Sequence, residues 1–368
     1  MVAPAEGHLH CTPMTSTSPS IDQLVQPHIQ GMRGYTPGEQ VNQCLKLNTN
    51  ECAWPPSPSV FAGLAAFVAD GLRLYPDPQS ARLREAAGKL WNFPAAGILA
   101  GNGSDDCLTI LYRCLLQPGD RVAVPWPTYG LYDTLAAIQN VEMVHVPWGP
   151  DWSLPGEALL ASGARMLLIA NPNNPSASLI SSAELCALAK RFNGLLVVDE
   201  AYIDYAPEGS SCIPQLAAHP NMVVLRTCSK SYSLAGARLG FCLGQASLIS
   251  QMMKVKDSYN VNALTQAVGL AALGDRAYHQ RLVADTLAAR ETLEEGLRKL
   301  GWALVPSSGN FVLAAAGPRA GEWYAGLKQR GILVRWWDTP ELREYLRITV
   351  GQPADQQRLL AALRELGA

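Results

Sequence analysis

From residue 97 onward, short runs of almost unbroken apolar residues alternate with segments whose apolar positions recur three and four apart. The runs "GILAG" (97–101), "DRVAVP" (120–125), "VEMVHVP" (141–147), "RMLLIANP" (165–172), "GLLVVDEAY" (194–202), "NMVVLRT" (221–227) and "RLGFCLG" (238–244) predict strands. Between them, "DDCLTILYRCLL" (105–116), "YGLYDTLAAIQ" (129–139) and "SAELCALAKRF" (182–192) predict helices. A strand without polar alternation is covered on both faces. The pattern therefore predicts an α/β fold, with a mainly parallel sheet between helical layers. Ligands of such sheets gather at the carboxyl ends of the strands, where most of the unusual residues of this chain fall.

After about residue 265 the texture changes. One long helical pattern (276–301) leads into "NFVLAAA" (310–316), a helical "GEWYAGLKQRG" (321–331), the strands "ILVRWW" (332–337) and "YLRITVG" (345–351), and a terminal helix (353–367). This predicts a smaller α+β unit. The expected division is a mobile polar tail over 1–20, an arm over 21–45 that joins the small unit or a dimer interface, a large unit over 46–270 and a small unit over 271–368.

With 368 residues and 48% apolar content, the chain can bury a large core. A net charge of −2 gives no electrostatic footprint for nucleic acid or an anionic membrane, and no apolar run is long enough to span a bilayer. Only 16% of residues are charged, which suits a chain with surface hidden in a subunit interface. Nine scattered cysteines without a C-x-x-C pair, and an N-terminal stretch lacking the basic start and apolar core of a signal peptide, indicate free thiols in a reducing cytoplasm. The six histidines do not cluster at ligand spacing, so no metal site is expected.

The candidate chemistry sits in five short motifs. "AGNGSDD" (100–106) places two glycines between a strand and a helix, where backbone N–H groups either bind an anion or are capped by Ser104 or Asp105. The dinucleotide fingerprint is not completed, because Asp106 occupies its sixth place. Tyr129 in "PTYG" either stacks on a flat ligand or packs. Asn173 and Asn174, fixed by Pro172 and Pro175, make either a ligand contact or a plain turn. Asp199 emerges from four apolar residues, a costly place unless it meets a cation, and Tyr202 follows it. In "RTCSKSYSLAGARLG" (226–240), Lys230 can form a Schiff base with an aldehyde, while Thr227, Ser229 and Arg238 can hold a phosphate. An aldehyde, a phosphate and a basic ring nitrogen together describe pyridoxal phosphate.

With "KLNTNECAWPPSP" (46–58), "LYPDP" (74–78), "GNGSDD", "PTYG", "NPNNP", "VVDEAY", "RTCSKSYSLAGARLG" and "LRITVG" (346–351), the chain resembles the pyridoxal-phosphate aminotransferases of fold type I, and within them the histidinol-phosphate aminotransferases, from about Ile21 to the C-terminus. The resemblance implies a large domain with a mainly parallel seven-stranded sheet, a smaller α+β domain and pyridoxal 5'-phosphate as cofactor. It implies that Lys230 holds the cofactor aldehyde and later moves a proton, and that Asp199 pairs with the ring nitrogen. By the same likeness Asn174 and Tyr202 bond the phenolic oxygen and Tyr129 stacks on the ring. Ser104, Asp105, Ser229 and Arg238 grip the phosphate, with help from Thr227. Tyr75 reaches the phosphate of the neighbouring subunit in a homodimer with shared active sites.

For the substrates, histidinol phosphate and glutamate or 2-oxoglutarate, the resemblance implies Arg347 and Arg335 as anion partners, Asn310 as an assisting group and Tyr35 as a contact. The implied reaction is transamination between histidinol phosphate and 2-oxoglutarate in histidine biosynthesis. Three departures bear on substrate choice: Ser176-Ala177 where the family often has Thr-Gly, Cys52-Ala53 in place of Asn-Pro, and the bulky Trp336-Trp337 after Arg335. The same frame serves aromatic aminotransferases and threonine-phosphate decarboxylases. A non-catalytic cofactor-binding regulator is disfavoured by the short, weakly basic N-terminal arm and by the intact Lys230, Asp199 and Arg238 set. A dehydrogenase is disfavoured by the incomplete glycine fingerprint.

Overall fold

The computed structural model describes residues 20–67 and 70–368, so nearly all of the expected tail lies outside the described residues. Twelve strands occur in them: β1 (Leu45–Lys46), β2 (Ile98–Gly101), β3 (Arg121–Trp126), β4 (Glu142–Pro147), β5 (Met166–Ala170), β6 (Leu195–Asp199), β7 (Met222–Thr227), β8 (Gly240–Leu243), β9 (Ala303–Leu304), β10 (Phe311–Ala315), β11 (Ile332–Leu333) and β12 (Tyr345–Thr349). Seven form one sheet in the order β2-β8-β7-β6-β5-β3-β4. The pairs β4·β3, β3·β5, β5·β6 and β6·β7 are parallel, whereas β8 is antiparallel to both β7 and β2, so β8 alone runs against the rest.

The apolar runs explain why this sheet is interior. Alternate residues of one strand enter two different cores: Leu167, Ile169, Leu196, Val198, Met222 and Val224 pack on one face. Val122, Val124, Met166, Leu168, Val197 and Val223 pack on the other. With period-2 side chains and both faces covered by helices, the strands β2 and β5 to β8 are buried almost throughout, whereas the edge strand β4 exposes Glu142, His145 and Pro147. The capping box of the helix Ser182–Arg191, in which Ser181 and Glu184 satisfy each other's backbone N–H, marks one of these helix starts.

The C-terminal part builds a third core around β12-β10-β9 and the helices Arg276–Lys299, Ala320–Gln329 and Pro353–Glu365. Leu45 and Lys46 of β1 pair in parallel with Ile332 and Leu333 of β11, and Leu47 is buried in that same core, so the chain threads through the C-terminal part before entering the large sheet. The run "ILVRWW" makes only a two-residue strand, followed by a backbone bridge between Arg335 and Arg347. The expected arm holds two short helices, Ile21–Leu24 and Pro27–Gly31, and His28 meets the Ile138 carbonyl at 3.3 Å. Among the described residues no helix is long and apolar enough to cross a membrane.

Candidate active site

The carboxyl ends of β2, β3, β5, β6 and β7 open onto a cavity of about 530 Å³, closed from the other side by residues of the arm and the C-terminal part. Its floor is Asp199, the last residue of β6 and only 5% exposed. Burial raises this carboxyl to about 6, against the lowering effect of the Tyr132 hydroxyl, which donates to Oδ2 at 2.8 Å, and of the Ala201 N–H, which donates to Oδ1 at 3.1 Å. Lys230 acts on it in the same lowering sense, so amine and carboxylate share one side of the sheet. A buried acid tuned in this way is suited to a cationic partner.

Lys230 follows β7 in the loop Cys228–Ser233. Its Nζ donates to the Thr49 carbonyl at 3.2 Å and lies 5.5 Å from the centre of the Tyr202 ring. Tyr202 Oη accepts from Asn50 Nδ2 at 3.0 Å, which leaves its own O–H to donate. Arg347 Nη1 donates to Asn174 Oδ1 at 2.5 Å, which leaves the Asn174 amide as a donor. Two donors at the cavity wall thus have their acceptor sides filled from within the protein. Tyr129 lines the cavity edge-on to Tyr132 and Tyr35, with ring centres 5.4 and 5.9 Å apart.

The other end of the cavity is basic. The helix Ser104–Leu115 begins immediately after Gly103, so the first N–H groups at Ser104 and Asp105 open toward it. Arg238 Nη2 meets Asp105 Oδ2 at 3.0 Å and Nη1 donates to Ser229 Oγ at 3.3 Å; Ser229 is further tied to Thr227. The close approach depends on two glycines. A Cβ at Gly103, which also has φ +89°, would lie 2.5 Å from Arg238 Nη2, and a Cβ at Gly240 would lie 2.2 Å from the Ser104 nitrogen.

Arg347 and Arg335 lie across the cavity on paired backbones, with N–H···O distances of 3.0 and 2.9 Å in the two directions. Burial pulls the Arg347 guanidinium down to about 10, and the neighbouring charge of Arg335 adds to this. Arg347 Nη2 donates to the Asn48 carbonyl at 2.6 Å, while its buried Nε has no partner. Tyr35 also lines the cavity. Two expected residues are elsewhere. Asn310 is buried and donates to the Asn50 carbonyl at 3.0 Å, outside the cavity lining. Tyr75 is 81% exposed on the outer surface, stacked on Tyr259 with ring centres 4.4 Å apart.

This chemistry, an amine and a buried acid flanking a cavity with an anion cradle at one end and paired guanidiniums at the other, agrees with the comparison to known families. The pattern that defines aminotransferase class I and II matches residues 42–363. The chain belongs to the class I and II aminotransferases. This aminotransferase is similar to histidinol-phosphate aminotransferase 1 of Trichormus variabilis, with 40% identity over 343 residues that cover 92% of this chain and 97% of that one. It is likewise similar to the histidinol-phosphate aminotransferase of Geotalea daltonii, with 39% identity over 347 residues that cover 93% and 99%. The crystal structure of histidinol-phosphate aminotransferase from Sinorhizobium meliloti in complex with pyridoxal-5'-phosphate superposes with a TM-score of 0.85 at 27% identity, over 93% of this chain and 96% of that one.

The aminotransferase also uses residues that the sequence motifs do not single out. Tyr132, on the first turn of the helix Leu131–Gln139, supports Asp199; its place three positions after Tyr129 in "PTYGLY" was the available signal. Asn50 ties together Tyr202, Thr349 and Asn310. Beneath the Lys230 loop lies a buried charge cluster. Arg226 of β7 pairs with Asp204 and lies 3.6 Å from Glu200, and Ser231, next to Lys230, donates to Asp204 at 2.5 Å. Burial lifts Glu200 to about 7, whereas at Asp204 the opposing push of burial is overcome by Arg226, His279 and Ser231 together, which hold it well below the usual carboxylate range. A single arginine inside an apolar strand was the sequence trace of this cluster.

Proposed function

We propose that this aminotransferase moves an amino group between L-histidinol phosphate and 2-oxoglutarate, using pyridoxal 5'-phosphate, as a step of histidine biosynthesis. The observation that carries the reading is the pairing of Lys230 and Asp199 on one wall with Arg335 and Arg347 on the other, in one cavity. The 40% identity to proteins named histidinol-phosphate aminotransferase supports the choice of substrate.

The residues fit the cofactor. Gly103 and Gly240 leave a cradle that any Cβ would fill, beside Ser104, Asp105, Ser229 and Arg238, which would hold the phosphate, with Thr227 behind Ser229. Asp199 would hold a protonated ring nitrogen, Asn174 and Tyr202 would donate to a phenolic oxygen, and Tyr129 would cover the ring. When bound, pyridoxal 5'-phosphate supplies an aldehyde that takes up the amino group and a ring that withdraws electrons from the bond to be broken. Lys230 Nζ is the base placed to take the proton from the substrate Cα, and Asp199 keeps its positive partner charged. Arg347 and Arg335 orient the substrate through its anions, the phosphate of histidinol phosphate or a carboxylate of glutamate. Tyr35 narrows the entrance, and Asn310 acts one step back through the Asn50 backbone.

The same reading takes 46–270 as the cofactor-holding domain and 271–368 as the smaller one, with β1 shared between them. The active unit is a homodimer. Phe61 and Leu64 on the helix Pro58–Ala65, with Leu72, Leu74, Tyr75 and Tyr259, are large apolar side chains left exposed, as a partner-covered surface would leave them. Tyr75 there is free to reach a second copy's phosphate site. Free cysteines suit the cytoplasm. Incubation of the holoenzyme with L-histidinol phosphate and 2-oxoglutarate is the test. Glutamate should accumulate; no turnover there, with brisk turnover of phenylalanine or tyrosine, would reject the substrate in favour of an aromatic one.

A further inference from the structure

Two guanidiniums with no acid between them need an explanation. Arg335 and Arg347 sit on paired backbones, and among the described residues neither forms an ion pair. Arg347 meets only neutral oxygens, those of Asn174 and Asn48, and its Nε is buried without a partner. Like charges this close repel, and the repulsion is strengthened by partial burial. Both guanidiniums lie over one indole. The Arg335 guanidinium carbon is 5.2 Å from the centre of the Trp337 ring, and that of Arg347 is 5.3 Å from the same ring. Phe311 offers Arg347 a second aromatic ring at 5.4 Å.

The two adjacent tryptophans do different things. Trp336 packs into the C-terminal core, stacks on Tyr324 and donates its ring N–H to the Arg343 carbonyl at 2.9 Å. Trp337 is on the opposite side of the extended chain and lines the cavity. Trp336 thus anchors the segment while Trp337 presents its ring to the two cations. The electron-rich ring attracts a cation without neutralising it. A carboxylate in its place would hold the arginines more firmly but would consume the charge that a ligand needs.

We propose that Trp337 is a specificity-determining residue: by holding Arg335 and Arg347 side by side and uncancelled, it makes the far end of the cavity a receptor for dianionic groups, a phosphate monoester or a second carboxylate. This rests on the assignment of the cavity as the substrate site, and deepens it. The ring need not touch the reacting atoms. Its loss should weaken the ground-state binding of dianions far more than it slows the bound substrate.

The experiment compares the parent holoenzyme with Trp337→Leu, which removes the aromatic face, and Trp337→Phe, which keeps one. Dissociation constants for inorganic phosphate, succinate and the monoanion acetate are read from the cofactor's visible band, together with KM and kcat. Trp337→Leu should weaken phosphate and succinate by about 5- to 10-fold, with acetate changed by less than about twofold. Its kcat should stay within about threefold of the parent, and Trp337→Phe should recover most of the dianion affinity. Unchanged dianion binding in Trp337→Leu, an equal loss for acetate, or a Trp337→Phe as weak as Trp337→Leu would each overturn the proposal. If Trp337→Leu does not fold, Trp337→Met takes its place with the same expectations. A parent that binds phosphate but does not turn over histidinol phosphate would remove the substrate assignment and leave this role of Trp337 standing or falling on the binding data.

Discussion

Replacing Asp199 by asparagine separates what this carboxylate does for the fold from what it does for the reaction. Burial raises the carboxyl from 3.8 to about 6, with a smaller push from Asp105, despite two hydrogen bonds and the nearby Lys230. Keeping the group ionised in the folded apoprotein therefore costs about 3 kcal/mol, at about 1.4 kcal/mol for each tenfold change in the proton's binding constant. The unfolded chain releases this proton near pH 4 and the folded apoprotein near pH 6. Stability is consequently highest below the window, falls as pH rises through it, and stays lower above. Glu200, lifted by burial to about 7, extends the fall in the same direction.

Asparagine has no charge to desolvate. Its Oδ1 can accept the Ala201 N–H, and the Tyr132 hydroxyl can turn to accept from Nδ2. In urea denaturation of cofactor-free protein, Asp199→Asn should be more stable than the parent by about 2–3 kcal/mol at pH 8, with the gap shrinking to about 1 kcal/mol at pH 4.5. The holoenzyme should lose about 10²- to 10³-fold in kcat, the usual effect of removing an electrostatic partner at a reacting centre. A variant apoprotein less stable than the parent at pH 8, or a gap of the same size at both pH values, would refute the reasoning on burial. Turnover within threefold of the parent would remove Asp199 from the chemistry.

Two other perturbations probe the two ends of the cavity. Arg347→Ala should raise KM for both substrates by about 30-fold or more, as expected for loss of a buried charged anchor worth at least about 2 kcal/mol, while cofactor affinity measured by fluorescence changes far less; equal KM values would take it out of the site. Gly240→Ala forces a Cβ against the backbone of Gly103 and Ser104, so thermal denaturation should show a loss of about 1–3 kcal/mol and cofactor binding should weaken with it. Parent-like cofactor affinity in that variant would mean that the cradle tolerates widening.

Much of the fold was legible because burial on both faces leaves an unmistakable apolar run. Six of the strands β2 to β8 fall inside their predicted segments and β3 runs one residue past its own, to Trp126, while the three helices between them start and end within two residues of the pattern. Strand direction was not legible. "RLGFCLG" looks like its neighbours, yet β8 runs against them, because an apolar strand covered on both faces records its burial and not its polarity. The helices Ala246–Val255 and Ala263–Gly274 were also unread; the second is so rich in small apolar residues that it shows little of a polar face.

At the site, the motifs at strand ends located Asp199, Lys230 and Asn174, since each stands at a sharp change from apolar to polar sequence. What they could not locate were supports from distant segments. Asn50, Thr49 and Asn48 arrive from β1's side of the chain, and Arg226 finds Asp204 across two strand ends. Such contacts depend on tertiary placement and leave only a single out-of-pattern residue in the sequence.

The most direct measurement is the location of the cofactor's covalent partner. The yellow holoenzyme is reduced with borohydride and digested, and the modified lysine is found by mass spectrometry. A pyridoxyl group on Lys230, together with a folded but inactive Lys230→Ala variant, is the predicted result. A label on any other lysine, or a Lys230→Ala protein that still transaminates, would contradict it.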